Sequence, residues 1–309
     1  MNRQRGVALL TALMVVALVA MLGAGMLTRM NIAMHRGGNL WLDQQALWYA
    51  VGVESWVGEI LRRDRENNQI DTLEEPWAQP VDYLPIEGGA ISGQVIDLQG
   101  RLNINNLAGG QAQQALDQFI RLIQLVGETD AVTARAVAQS TRDWIDADIQ
   151  PTLPDGAEDD YYLGLSPAYR TANRPMTDVS ELRSVRGMNA ELFQRLAPYI
   201  TALPTATAVN VNTAPAPVLA SIAEGLDLAM ATDLVEQREE AAWESVEAFL
   251  QNETLAGREI SAENLSVASS YFMASGRVSV DRVSVSFASV LQRGDRGGTR
   301  VIRHQRNAL

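Results

Sequence analysis

The hydrophobic pattern begins with a long uncharged run near the N-terminus. The run covers 21 residues, 7–27, which is the length that a helix needs to cross about 30 Å of hydrocarbon. Apolar residues then recur at near-helical spacing over 28–65, from Leu40 to Leu61. We therefore predict one long helix, membrane-spanning over 7–27 and amphipathic over 28–65, with Gly37-Gly38 as a weak point or break.

A pattern of alternating apolar and polar residues follows this helix. Ile91 to Asp97 alternates, and Gln99-Gly100-Arg101 gives a turn signal before the next apolar residues. Alternation with period two, bounded by turn residues, is typical of β-strands. The pattern predicts a hairpin over about residues 90–105.

The C-terminal stretch repeats the alternation over residues 268–304. Turn signals at Ser275-Gly276 and over Gly294–Gly298 predict two or three strands here. We expect residues 66–106 and 266–309 to form one antiparallel sheet that lies against the long helix.

The middle of the chain, residues 107–265, has the pattern of a helical insertion. Its segments place apolar residues three and four positions apart, with Asp, Thr or Ser near the predicted helix starts. The stretches 177–196 and 244–260 are weakly similar, which predicts two small SAM-like or helix-hairpin-helix-like units. The predicted fold class is α+β, with a long N-terminal helix on an antiparallel sheet and a large all-α insertion.

The charge distribution restricts the function classes. The 309-residue chain carries a net charge of −12, but residues 1–36 hold four arginines and no acid, which leaves −16 for the rest. An acidic body repels phosphate, so no nucleic acid is expected as a partner. The chain has no cysteine, only two distant histidines and no nucleotide-binding motif, so we predict no enzyme activity and no disulfides.

Two arginines precede the apolar run and set its expected orientation. Arg3 and Arg5 favour a cytoplasmic N-terminus, with the acidic body on the other side of the membrane. Small residues in the stretch AMLGAGM, residues 20–26, leave a cleaved secretory signal as an alternative.

The N-terminal junction resembles that of the type IV pilin class, in which a short basic leader and a glycine precede an apolar helix. Here Arg5, Gly6 and Val7 occupy those positions. The resemblance implies that a prepilin peptidase cleaves after Gly6, that leader 1–6 is removed, and that the new amine of Val7 is methylated. It also implies that the helix first spans the lipid bilayer of the inner membrane, with the body in the periplasm, and then packs into a filament.

One position departs from the general pilin pattern. Most members carry a glutamate at the fifth residue of the mature chain, where this sequence has Thr11. In the family, that glutamate is thought to meet the terminal amine of a subunit already in place, which offsets the cost of a carboxylate in lipid. Its absence is typical of the K-type minor pseudopilins of type II secretion, which also carry a helical insertion within a pilin-like sheet.

Resemblance to the K-type pseudopilins implies a function and partners. It implies a non-enzymatic subunit at the pseudopilus tip that initiates assembly and supports export of folded proteins across the outer membrane. The implied partners are the minor pseudopilins I and J, which would bury roughly residues 40–61, and the inner-membrane assembly platform. The other interpretation of residues 40–61 is packing on their own sheet, and both can hold along different stretches.

An acidic segment is the main candidate for a binding site. Seven carboxylates lie within the 18 residues 143–160, where Pro151, Pro154 and Gly156 indicate an irregular loop. Ca²⁺ accepts carboxylate and carbonyl oxygens in flexible geometry, whereas Zn²⁺ favours cysteine or histidine ligands, which this segment lacks. From the local sequence alone, a calcium site and a solvated loop without an ion both remain open.

Resemblance to the K-type pseudopilins favours calcium. In that family a segment W-I/L-D-x-D followed by G-A-E-D is associated with bound Ca²⁺, and Trp144, Asp146, Asp148 and residues 156–159 match it here. The implied metal ligands are Asp146, Asp148, Glu158 and Asp159, with Asp160 and Asn173 as further candidates.

A second function is suggested by residues 209–250, which resemble a helix-hairpin-helix of DNA-binding proteins. The alternative is therefore a membrane-anchored, competence-like DNA-binding protein. Such hairpins present backbone amides to phosphate. Here Glu224 and Asp227 stand beside the single Gly225, and two carboxylates at that place would repel a phosphate.

Overall fold

The structure is a computed structural model that describes residues 3–294 and 297–306, with side chains from Val7 onward. Met1 and Asn2 of the predicted leader, Asp295 and Arg296 of the predicted turn, and residues 307–309 lie outside the described residues. The backbone at Gly6 is helical.

A single long helix, α1 (Arg3–Asn67), opens the fold. Residues 7–37 are exposed throughout, whereas the second half of α1 packs on the sheet. The predicted break at Gly37-Gly38 is wrong, because α1 continues through both glycines. Glycine weakens a helix by about 1 kcal/mol relative to alanine, but it keeps its N–H donor, so the neighbouring turns can extend through it.

The strands of the described chain fall into one large and two small sheets. They are β1 (Val81–Ile86), β2 (Gly89–Asp97), β3 (Leu102–Asn103), β4 (Ile200–Thr201), β5 (Val209–Asn210), β6 (Leu265–Ser266), β7 (Tyr271–Val280), β8 (Val283–Arg293) and β9 (Thr299–Arg306). The large sheet is antiparallel with the order β1-β2-β7-β8-β9. It lies against α1, which confirms the predicted helix-on-sheet arrangement.

The predicted hairpin over residues 90–105 is wrong. The turn at Gly88 (φ +76°) joins β1 to β2, and β2 then pairs with β7. β3 leaves the large sheet and pairs in parallel with β4. Gly100 is not needed for a hairpin but for packing, since a Cβ there would lie 2.9 Å from the Thr213 carbonyl oxygen.

The predicted turn at Ser275-Gly276 is also wrong, because β7 runs straight through it. The turn comes later, at Asp281 (φ +49°), and leads into β8. Gly276 pairs with Gly93 of β2, and a Cβ on Gly276 would lie 2.4 Å from the Ser92 carbonyl oxygen. The predicted connection near 294–298 does lie between β8 and β9.

The core between α1 and the sheet has two parts, one with small residues on the helix and one with large residues on it. Ala46 and Ala50 are fully buried and let α1 approach Phe287 of β8, and further along Leu61 packs with Phe272 of β7. Burying each large apolar side chain contributes about 1.5–3 kcal/mol.

The middle of the chain is mostly helical, as its sequence pattern predicts, but it is not all-α, because the short strands β4 and β5 lie within it. The helices are α2 (Ala112–Gly127), α3 (Ala131–Ile145), α4 (Asp159–Tyr162), α5 (Ala190–Leu196), α6 (Ala216–Ser221), α7 (Leu228–Glu240) and α8 (Val246–Leu250). Shorter 3₁₀ helices are Ile104–Ala108, Val179–Ser184, Ala197–Tyr199, Glu253–Leu255 and Ala262–Asn264.

Two hydrophobic cores divide this helical region. The first helical unit, residues 102–202, packs around Phe119, and the second, residues 209–265, packs around Phe249. The two units meet at α2 and α6, where Arg121 donates to the Ser221 carbonyl at 2.7 Å. The candidate acidic loop belongs to the first unit.

Candidate metal centre and partner surface

The candidate metal site lies in the loop between α3 and α4. Asp146 directly follows α3, and Glu158 directly precedes α4. Asp146, Asp148 and Glu158 each offer a carboxylate oxygen, and these oxygens lie within 4.8 Å of one another. The fold therefore brings together three of the four carboxylates that the family resemblance implies as ligands.

Three buried side-chain oxygens at this loop lack a hydrogen-bond donor among the described residues. They are Oδ1 of Asp146, Oε1 of Glu158 and Oδ1 of Asn173. Asn173 is held beside the loop because its Nδ2 donates to the Asp148 carbonyl at 3.2 Å and its backbone N–H donates to the Trp144 carbonyl at 3.0 Å. A buried polar atom without a partner costs about 1–3 kcal/mol, and a cation bound by all three oxygens would remove that cost.

Burial and mutual repulsion make it unfavourable for these carboxylates to be charged. Burial, together with the charges of Asp148 and Asp143, raises the pKa of Asp146 to about 6. Burial also raises the pKa of Glu158 to about 7, although a hydrogen bond from Thr171 opposes the rise. A divalent cation between them would favour the ionised forms instead.

The structure does not bring Asp159 and Asp160 into this group. The Asp159 carboxylate pairs with Arg170 at 3.1 Å and accepts the backbone N–H of Thr171 at 3.1 Å. Asp160 is exposed on the first turn of α4. Asn173, a further candidate in the sequence, lies beside the loop with a buried Oδ1 for which the described residues offer no donor.

Asp143, which is not among the predicted ligands, holds the loop through hydrogen bonds to its backbone. Asp143 is fully buried on α3 and accepts the Thr152 backbone N–H at 3.0 Å. A Cβ on Gly156 would lie 2.1 Å from this carboxylate, so only glycine fits there. Gln139, one turn earlier on the same face of α3, accepts the backbone N–H of Asp155 at 2.9 Å. Asp143 is one of the seven acids of residues 143–160, and its four-residue spacing from Gln139 is the sequence signal that both side chains lie on one face of α3.

The donor atoms at the loop are all oxygens, from carboxylates and one side-chain amide. Such a set suits Ca²⁺, which takes oxygen ligands in flexible geometry. Asp146, Asp148, Glu158 and Asn173 would hold the ion. Its contribution would be positive charge that orders the loop.

A second acidic cluster has a different arrangement. Asp64, Asp71 and Glu75 also place oxygens within 4.8 Å of one another. Here, however, Arg293 bonds to both aspartates, at 2.9 Å from Asp64, and the Trp77 indole donates to Glu75 at 2.7 Å. Because Arg293 and Trp77 already donate to its oxygens, this cluster ties the end of α1 to β8 and is not a candidate metal site.

A buried carboxylate next to this cluster joins the sheet to the second helical unit. Asp97, at the end of β2, accepts hydrogen bonds from Asn210 at 3.1 Å, Thr213 at 2.6 Å and Ser269 at 2.6 Å. Burial raises the pKa of Asp97 to about 6 despite these donors.

One face of α1 carries aromatic side chains that point away from the sheet. Trp41 is 73% exposed and Trp48 is 71% exposed. The seven-residue spacing places them on one side of the helix, opposite the buried Ala46 and Ala50. With Tyr49 they line a cavity of about 350 Å³. We call this the aromatic face; neighbouring exposed aromatic side chains of this kind are typical of an interaction site.

The helix-hairpin-helix segment lacks the features of a phosphate site. Gly225 takes a positive φ of 72° in the turn before α7. The Asp227 side chain caps α7 by accepting the backbone N–H of Met230 at 2.9 Å. A carboxylate therefore occupies the helix N-terminus where a phosphate would have to bind.

The described chain contains one helix that is long and apolar enough to cross a membrane. Its most apolar 18-residue window has a mean hydropathy of 2.6 and no buried residues. Thr11 lies within the apolar part, and its hydroxyl donates to the Ala8 carbonyl at 3.0 Å.

Comparison with known proteins identifies the family. Two family models described as type II secretion system protein K match residues 100–205 and 209–268. A type II secretion system protein K from Pseudomonas aeruginosa is 36% identical over 308 residues, which cover 97% of this chain and 92% of that protein. The chain belongs to the protein K family of type II secretion. Proteins of the same description from Pectobacterium carotovorum (38% identical, 81% of this chain and 80% of that protein) and Klebsiella pneumoniae (36% identical, 96% and 94%) are also similar.

A solved structure of this family has the same fold. A chain in the crystal structure of the GspK-GspI-GspJ complex from the enterotoxigenic Escherichia coli type 2 secretion system matches with a TM-score of 0.80 and 30% identity. The match covers 89% of this chain and 100% of that one. This protein is thus a K-type minor pseudopilin, from a family of structural subunits, and its apolar helix fits a membrane anchor. The predicted α+β fold class is confirmed, and the DNA-binding alternative is not favoured.

Proposed function

We propose that this subunit lies at the tip of the pseudopilus, where it initiates assembly with the other minor pseudopilins and supports export of folded proteins across the outer membrane. The observation that carries the proposal is the uncharged Thr11. Its hydroxyl is satisfied by the Ala8 carbonyl within its own helix, so it requires no amine from a preceding subunit. A subunit with this property can enter the filament first.

The N-terminal segment would act first as a signal and then as an anchor. Prepilin peptidase would cleave after Gly6, and the amine of Val7 would be methylated. Residues 7–27 would then hold the subunit in the inner membrane, with the body in the periplasm, until the assembly platform draws it into the filament. The support is the continuity of α1 from Arg3 to Asn67, which joins the anchor to the sheet without a hinge.

The aromatic face would bind the minor pseudopilins I and J. α1 covers its own sheet with Ala46 and Ala50, which leaves Trp41 and Trp48 available on the opposite side. The similar chain of known structure was solved in a complex with GspI and GspJ. Both interpretations of residues 40–61 can therefore hold, each on its own side of the helix.

The role proposed for Ca²⁺ is structural. The ion would be bound by Asp146, Asp148, Glu158 and Asn173, because three of these residues present buried oxygens without donors. It would fix a loop in which like charges otherwise repel one another. No chemical step is assigned to it.

Export in a strain that lacks this subunit tests the proposal. The wild-type gene should restore export, and Gly6→Leu should abolish both leader removal and export because the bulky side chain blocks cleavage. Gly110→Ala is a matched glycine control, since a Cβ at Gly110 meets nothing within 4 Å. Normal processing and export by the Gly6 variant would contradict the proposed function.

A further inference from the structure

The loop that follows Asp148 carries the most exposed large apolar side chains of the two helical units. Ile149 is 68% exposed and Leu153 is 81% exposed. Pro151 and Pro154 on the same loop are exposed as well. We call residues 149–154 the apolar loop. Single exposed apolar residues are ordinary, but a group of them on one short segment is typical of an interaction site.

Buried side chains of α3 hold the apolar loop in this conformation. Asp143 accepts the Thr152 backbone N–H at 3.0 Å, and Gln139 donates to the Leu153 carbonyl at 2.8 Å. Both of these side chains are buried. Because the backbone is fixed at these points, Leu153 is held in water and does not fold back onto the core. A surface that is ordered in advance loses less conformational entropy on binding.

A partly exposed tyrosine lies near the end of the apolar loop. Arg186 donates to the Gly156 carbonyl at 3.3 Å, immediately after the apolar loop. Its guanidinium also lies 4.9 Å from the ring centre of Tyr161, which is 39% exposed. Arg186 thus links the end of the loop region to the partly exposed Tyr161 ring on α4.

The surroundings of the apolar loop are acidic. Residues 143–160 contain seven carboxylates, and three arginines from outside this segment contact it: Arg142 near Asp146 (4.0 Å), Arg170 on Asp159 (3.1 Å) and Arg186 on the Gly156 carbonyl (3.3 Å). The carboxylates outnumber these arginines, so the net charge remains negative. Asp148 and Asp160 are exposed on either side of the loop, and one bound Ca²⁺ would offset only part of the charge. Such a field repels anionic lipid headgroups and nucleic acids and attracts a basic surface.

We propose that the apolar loop docks a folded protein that presents an apolar pocket bordered by arginine or lysine. The apolar side chains would fill the pocket, and the surrounding carboxylates would face its basic border. The loop lies on the helical insertion, whereas the aromatic face on α1 is the surface proposed for I and J. This inference rests on the proposed function, because export is the activity that the docking would serve.

The test is export by the double variant Ile149→Ser/Leu153→Ser in the strain that lacks this subunit. We expect export to fall at least tenfold. Val132→Ser is the matched control, because Val132 is 66% exposed on α3 of the same unit and lies outside the apolar loop; its export should stay within twofold of wild type. Asp160→Arg should lower export more than Asp160→Asn, since it reverses a charge that faces the basic border.

Two measurements on the full-length protein in detergent complete the test. The double variant should keep the wild-type melting temperature and should still form a complex with I and J. Wild-type export by the double variant would overturn the inference, and the proposed function would stand if Gly6→Leu still abolished export. Loss of the complex with I and J, an equal loss of export in Val132→Ser, or binding of the loop to phosphatidylglycerol vesicles would also overturn it. If the melting temperature of the double variant is lower than that of wild type, the single variant Leu153→Ser is tested instead, with the same measurements of export, melting temperature and complex formation.

Discussion

At the scale of single residues, unsatisfied oxygens distinguish the two acidic clusters of this chain. The carboxylates of Asp64 and Asp71 accept hydrogen bonds from the Arg293 guanidinium, which offsets part of their charge within the protein. Asp146 and Glu158 have buried oxygens for which the described residues offer no donor. A charge that is buried without a partner is unstable unless a proton or a cation compensates it. The loop cluster of Asp146, Asp148 and Glu158 therefore offers a cation buried oxygens that no described donor uses, whereas Arg293 already binds the cluster at the end of α1.

Asp146→Asn should weaken Ca²⁺ binding at least tenfold, because it removes one ligand charge from the site. Asp160→Asn, on an exposed carboxylate two residues beyond Glu158, should change the affinity less than twofold. Isothermal titration calorimetry of the protein in detergent measures both. Equal affinities for wild type and Asp146→Asn, or no binding of Ca²⁺ by wild type, would contradict the proposed site.

The sequence predicts the acidic site only in part, for a physical reason. The crowding of carboxylates and the match to the family segment are visible along the chain and point to Asp146, Asp148 and Glu158. Whether a carboxylate turns toward the site depends on contacts made elsewhere. Asp159 instead pairs with Arg170, eleven residues later. The spacing of residues within the acidic segment does not predict this ion pair.

At the scale of elements, α1 has two functional sides. The side with Ala46 and Ala50 is buried on β7 and β8, and the side with Trp41 and Trp48 is exposed. Helical periodicity predicts the existence and length of this helix correctly. It cannot predict which β-strands pair, because Gly93 and Gly276 act through close approach between strands and not through turns.

The double variant Trp41→Ser/Trp48→Ser should lose the complex with I and J, because the aromatic side chains would supply most of the apolar contact. Val301→Ser is the control, since Val301 is 38% exposed on β9 and lies outside the aromatic face. Co-purification of the three proteins from detergent measures the effect. If the Trp variant forms the complex with the same yield as wild type, the aromatic face is not part of the interface with I and J.

At the scale of the whole molecule, buried carboxylates connect its parts. Asp64 fixes the end of α1, Asp97 joins the sheet to the second helical unit, and Asp146 and Glu158 shape the loop of the first unit. Burial raises the pKa of Asp64 and of Glu158 to about 7, and that of Asp97 and of Asp146 to about 6. In the unfolded chain, carboxyl groups titrate near pH 4.

These shifts give a testable dependence of stability on pH. The folded state binds these protons more tightly than the unfolded state, so the stabilisation is complete below about pH 4 and is lost as the pH rises through 6 and 7. With a calcium chelator present, the free energy of unfolding should therefore fall between pH 5 and pH 8. Saturating Ca²⁺ should reduce this fall, because it favours ionised Asp146 and Glu158. Urea denaturation at both pH values measures the change, and a rise in stability with pH under chelator would contradict the assignment.

The mature N-terminus tests the central claim most directly. Residues 1–6 form the leader of a pseudopilin only if they are removed and the new end is modified. Mass spectrometry of the protein purified from its host should find a chain that begins at Val7 and carries one methyl group on its amine. A chain that begins at Met1, or one cleaved near residue 25, would contradict the account.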